Sequence, residues 1–172
     1  TQDEAFEALT LIQTGKAAPL PLVLIDRPGG DYWKSWDYYV RNRLLDQRLI
    51  SPDDTSLYYL TDSIDDALAY IESFYRLYHS IRYVDDQLVI RLKAPLDPGG
   101  VDQLNENFAD ILSKGQIREV SAFPIERGDE TEALPRLALH FNQRDLGRLH
   151  QMIRYLGKLG VACEAVQHPE EK

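Results

Sequence analysis

At 172 residues with 44% hydrophobic content, the chain is long enough to bury a core, and long disorder is not expected. Its net charge of -9 is spread over both halves, which disfavours electrostatic binding to nucleic acid or to an anionic membrane. The single cysteine, Cys163, excludes an internal disulfide and a cysteine-cluster zinc site.

No apolar stretch approaches the ~20 residues that span a bilayer, and the first residues lack the basic and apolar regions of a signal peptide. A soluble, cytoplasmic protein is expected.

Ala5, Phe6, Leu9 and Ile12 recur at helical spacing over about residues 3–14, and Gly15 follows as a C-terminal glycine signal. The run LPLVLID (20–26) is continuous and apolar, the pattern of a strand in a parallel sheet, and RPGGD (27–31) breaks it. Residues 32–49 return to helical spacing and alternate aromatic with basic residues, which predicts a solvated helix face. SPDD (51–54) and SIDD (63–66) each place a serine ahead of acidic residues, as helix N-caps do, with a strand, SLYYLTD (56–62), between them. A long helix is predicted over 63–80 and a linker over 81–86. Helix, strand, helix, strand, helix over 1–82 is the order of the C-terminal half of a Rossmann-like parallel sheet with helices on both faces.

The pattern then changes. Strands are predicted over 87–96, 117–126, 135–143 and 161–167, and helices over 101–115 and 144–160. Over residues 87–167 this gives strand, helix, strand, strand, helix, strand, the βαββαβ order of a ferredoxin-like or ACT-like α+β domain. HPEEK (168–172) is expected to fray. Cys163, in the apolar run VACEAV, is expected to be a small packing residue.

Candidate chemistry is sparse. Adjacent carboxylates at 53–54, 65–66 and 85–86 point about 100° apart on a helix, so caps and linker charge explain them better than acid-base pairs. The histidines His79, His140, His150 and His168 form no HxxxH or HExxH pair, so no metal site is expected, and His150 is expected at or near the surface. RPGGD and DPGGV (97–101) resemble phosphate-cradling glycine turns but lack GxGxxG or GxxxxGK[ST] spacing. Gly29 and Gly30, after a parallel-type strand, are candidates for a substrate-proximal loop. Thr1 followed by Glu4 is a capping pattern, in which the hydroxyl takes an orphan backbone N–H and the carboxylate reaches back.

Taken together, TQDEAFEALTLIQTGK, PLVLID, LISPDD and TD resemble the C-terminal half of the Lonely Guy family, Rossmann-like nucleotide-binding proteins often mislabelled lysine decarboxylases. The family signature is Pro-Gly-Gly-x-Gly-Thr-x-x-Glu. The chain holds its last four positions, with Thr1 matching the Thr and Glu4 the Glu, while Asp3 and Glu7 match nothing in it.

The resemblance implies hydrolysis of the N-glycosidic bond of a nucleoside 5′-monophosphate, with Thr1 binding phosphate, Glu4 catalytic and no cofactor. The glycine part of the signature and a family arginine would lie upstream, so the 172 residues alone are expected to be inactive. The appended ACT-like domain would bind a small-molecule effector or make a homodimer or higher homo-oligomer. The alternatives are a non-catalytic nucleotide-sensing protein and a pure oligomerisation module.

Overall fold

The computed structural model describes residues 1–166, with side-chain surroundings described to Leu159. Two compact units form. One comprises Thr1–Ser73 with Gln143–Gln151, and the other Phe74–Asn142 with the final helix from Met152 onward.

In the first unit, α1 (Gln2–Gln13) ends at Thr14, where Gly15 takes a φ of +68° and lets the Lys16 amide turn back to the Leu11 carbonyl at 2.9 Å. β1 (Leu22–Ile25) pairs in parallel with β2 (Tyr58–Thr61), Leu22 opposite Tyr58 and Ile25 opposite Thr61. Between them run α2 (Tyr32–Tyr39), which continues as a π-helical turn over Val40–Leu45, and a 3-10 turn over Pro52–Ser56. Ser51 and Asp54 cap that turn reciprocally, as the SPDD pattern predicts.

The core joins Ala5 of α1 and Leu24 of β1 to Trp33, Trp36, Val40 and Tyr58. Trp33, Trp36 and Val40 fall at i, i+3 and i+7, so the aromatic helix is not a simple solvated face. Its tryptophans are core, while Tyr38 is 69% exposed.

α3 (Ile64–Tyr75) is capped by Ser63, whose Oγ accepts from the Asp66 amide at 3.2 Å. It stops five residues short of the expected end. Residues 78–84, expected as helix end and linker, form strand β3 (Tyr78–Val84). With β4 (Gln87–Leu92), β5 (Leu112–Val120) and β6 (Arg136–Phe141) it makes an antiparallel sheet of order β3-β4-β6-β5. β4 and β5 both run antiparallel to β6, so the β4-α4-β5 connection is split by an inserted strand.

α4 (Gly100–Phe108) is also shorter than expected, and β5 begins at Leu112 rather than after Gly115. Gly115, with φ +68°, lies where the β5–β6 register slips, and there the side chain of Asn105 replaces the ladder. It accepts from the Ile117 amide at 2.8 Å and donates to the Ile117 carbonyl at 3.0 Å.

The expected last strand over 161–167 is contradicted through residue 166. α5 (Leu146–Val166) runs straight through Gly157 and Gly160, because an apolar stripe sustained on helical spacing outweighs two glycines and a pair of valines. The observed order from residue 78 is therefore ββαββα rather than βαββαβ. Residues 167–172, including His168 and the HPEEK expected to fray, lie outside the described residues.

Candidate functional site

α1 starts directly after Thr1, and Asp3 and Glu4 in its first turn oppose the positive end of the helix dipole. The expected reciprocal cap forms on one side only. The Thr1 hydroxyl makes no capping hydrogen bond, but the Glu4 carboxylate does reach back and pairs with the Thr1 amino group. The two side chains are 79% and 77% exposed, so neither has a packing role.

Both residues line a cleft of about 420 Å³, together with Ala5, Ala8, Trp33 and every residue of β1. Successive strand residues alternate faces, so a cleft touching four in a row lies along the strand's edge. β1 has a partner, β2, on one side only.

The RPGG turn is held by carboxylates. Asp26 Oδ1 accepts from the Arg27 amide at 2.9 Å, and Asp62 Oδ2 accepts from the Gly29 amide at 2.9 Å. The Gly29 amide is the chief reason that the Asp62 carboxyl lies below its usual range. The amide that would meet an anion at this turn thus already serves an internal one. Gly29 has φ +72°, while Gly30 sits against the Asp26 carboxyl, where a Cβ would come within 2.3 Å of Oδ1. Gly30 lines a different cavity, of about 220 Å³, with Asp26, Lys34 and Asp62. Thr1 and Glu4 therefore share a cleft, Gly30 faces another, and Trp33 walls both.

Sequence reasoning missed the α2 aromatics. Trp33 donates its indole N–H to the Ile25 carbonyl at 3.1 Å, fastening α2 to the end of β1. A further groove, of about 500 Å³, opens between α1 and α2, with Phe6, Tyr32, Trp36 and Tyr39 among its walls. The signal was available in the i, i+3 spacing of the two tryptophans.

Tyr58 donates to Asp37 Oδ1 at 2.5 Å, and the same carboxylate receives Arg41 Nε at 3.0 and 2.9 Å. Burial first, and Asp37 second, push the Tyr58 hydroxyl far above its usual range.

His150, expected near the surface, is fully buried, with Nε2 3.1 Å from the Leu20 carbonyl. Among the described residues no group of three or more His, Cys, Asp or Glu side chains is arranged to hold a metal, and no helix is long and apolar enough to cross a membrane.

No curated protein and no solved structure matches the chain. Residues 1–71 match the family model described as "Possible lysine decarboxylase", which supports the resemblance to the Lonely Guy proteins and confines it to the part of the chain that carries α1, β1, α2, β2 and most of α3.

Proposed function

We propose that residues 1–71 are the nucleotide-binding part of a nucleoside 5′-monophosphate phosphoribohydrolase. The supporting observation is that Thr1 and Glu4, one helical turn apart at the head of α1, open onto one cleft along β1 within the segment that the family model matches. In this reading the Thr1 hydroxyl, at a helix N-terminus, helps to hold the 5′-phosphate. Glu4 orients or deprotonates the water, or stabilises the oxocarbenium-like charge at C1′. The water oxygen bonds C1′, the C1′–N bond breaks, and its electron pair leaves on the base, which takes up a proton. The products are free base and ribose 5-phosphate.

The chain contains no Pro-Gly-Gly-x-Gly, so catalysis in this reading needs that segment supplied upstream. The test incubates AMP with the 172-residue chain and with the same chain extended upstream by the corresponding half of a family member, and measures released adenine. Release by the extended protein alone is expected. Release by the 172-residue chain would refute the split site, and tight binding without release by the extended protein would favour a nucleotide sensor.

The second unit is, in the same reading, an ACT-like module that binds a small effector or assembles copies of the chain. The split β4-α4-β5 connection supports it. Mass in solution, measured with and without candidate amino acids, separates assembly from effector binding.

A further inference from the structure

We propose that the basic face of the β3-β4-β6-β5 sheet carries, at the β5 bulge, a site for the phosphate group of a small molecule, held by Arg118 and Lys114 with His140 beside them. This deepens the reading of the second unit as an effector module by naming the chemistry of the effector.

Cross-strand partners share a face of a sheet, as do residues two apart on one strand. Arg91 lies opposite Arg136, Arg118 opposite Ala138, Lys114 opposite His140, and Arg82 opposite Val89, which is the other partner of Ala138. Arg82, Arg91, Arg118, Arg136, Lys114 and His140 therefore stand on one face, in a chain whose net charge is -9.

The carboxylates that answer these cations are unevenly shared. At one end Arg91 Nη2 and Arg136 Nε donate to Glu126, and Asp129 Oδ2 lies 3.6 Å from Arg82 Nη1. At the other end a single carboxylate, Asp86, lies 2.8 Å from Lys114 Nζ and 3.3 Å from His140 Nδ1. Arg118 is exposed and, among the described residues, makes no hydrogen bond or ion pair. Its cross-strand partner, Ala138, offers no group to pair with it.

The bulge brings the two exposed cations together. In a regular strand, residues four apart are separated by about 14 Å. Gly115, with φ +68°, and Gln116 have no partner in β6, so Lys114 and Arg118 face residues only two apart, His140 and Ala138. Their spacing along the sheet falls to about 7 Å, within reach of one phosphate. The planar fork of arginine matches phosphate oxygens, and lysine adds a point charge. The sign of the charge disfavours a metal cation or an amine.

The test titrates the isotope-labelled 172-residue chain with pyrophosphate at constant ionic strength, reading amide shifts by NMR and affinity by calorimetry. Shifts should saturate and centre on Lys114, Gly115 and Arg118. Arg118→Gln, at an exposed position, should weaken binding about tenfold. Asp86→Asn, at a side chain 62% exposed, should tighten it severalfold, because it releases Lys114 from its carboxylate.

No saturable shift at β5, affinity unchanged in Arg118→Gln, or affinity unchanged or lowered in Asp86→Asn overturns the site. So does a tetraglutamate peptide that binds more tightly than pyrophosphate, since the face would then dock a protein segment. Assembly that responds to an amino acid without pyrophosphate binding would remove the site and leave the effector reading standing. Pyrophosphate binding that alters neither mass in solution nor adenine release by the extended protein would uphold the site and refute its effector role.

Discussion

Gly147 lies against the backbone of Asp53 so closely that a Cβ there would sit 2.4 Å from the Asp53 carbonyl oxygen. The contact carries the first turn of α5 onto the 3-10 turn Pro52–Ser56. Ser56 Oγ donates to the Gly147 carbonyl at 3.1 Å, and Gln151 Nε2 donates to Asp53 Oδ1 at 3.0 Å. Because the obstacle is backbone, it cannot rotate aside. Gly147→Ala should therefore destabilise the protein by about 1–3 kcal/mol, read as a lower urea midpoint. An unchanged midpoint would mean that the helix can back away freely.

Glu126 is fully buried between two guanidiniums, accepting from Arg91 Nη2 at 2.7 Å and from Arg136 Nε at 3.0 Å. Burial alone would raise its carboxyl. The Arg91 hydrogen bonds, the Phe123 amide and the charge of Arg136 outweigh that and hold it below its usual 4.5. A depressed folded value gives stability that is complete above about 4.5 and is lost as the pH falls through the folded value. Glu126→Ala should cost about 3–5 kcal/mol at neutral pH, since it strands two buried cations. Glu126→Gln should cost less and flatten the acid limb of a midpoint-against-pH curve; an acid limb of unchanged steepness would exclude Glu126 as its source.

The Glu4 side chain is 77% exposed, so Glu4→Gln should leave the thermal midpoint unchanged. In the upstream-extended protein the same substitution should reduce adenine release from AMP by two or more orders of magnitude. A rate within about twofold of the unsubstituted enzyme would remove Glu4 from the chemistry.

Tyr58 carries the opposite pH signature. With its hydroxyl raised by burial and by Asp37, its contribution is fully present below the ordinary value of 10 and is lost as the pH rises through the higher folded value. An absorbance titration at alkaline pH should show a late step to which Tyr58 and the buried Tyr78 both contribute, and Tyr58→Phe should reduce its amplitude without abolishing it. Loss of an early step instead would contradict the buried Tyr58–Asp37 pair.

The first unit was legible in the sequence because its signals are local. Gly15 ends α1, the LVLI run makes β1, and Ser51 and Ser63 cap the 3-10 turn and α3. β3 was not legible, because Tyr75 and Tyr78 share one aromatic run and only Arg76 and Leu77 separate helix from strand, with no glycine or proline to mark the break. In β5, Gly115 marks a bulge inside a strand, whereas by position it passes for the stop of a helix. The end of α5 misled through Val161 and Val166, whose β preference yields to the helical stripe. The importance of Trp33 and Trp36 was hidden by the exposed tyrosines and basic residues between and after them. The burial of His150 depends on the Leu20 carbonyl, 130 positions away in sequence, and no local pattern announces such a partner.

The return of Gln143–Gln151 to the first unit has a practical corollary for anyone dissecting the chain. A single cut between the units, whether by protease or by a stop codon near residue 74, removes nine residues that the N-terminal unit uses, including Gly147 and Gln151. A truncated product that misbehaves would thus report a stripped unit rather than a lost regulator. A faithful separation needs a rejoined design that carries 143–151 back to the first 73 residues through a short linker.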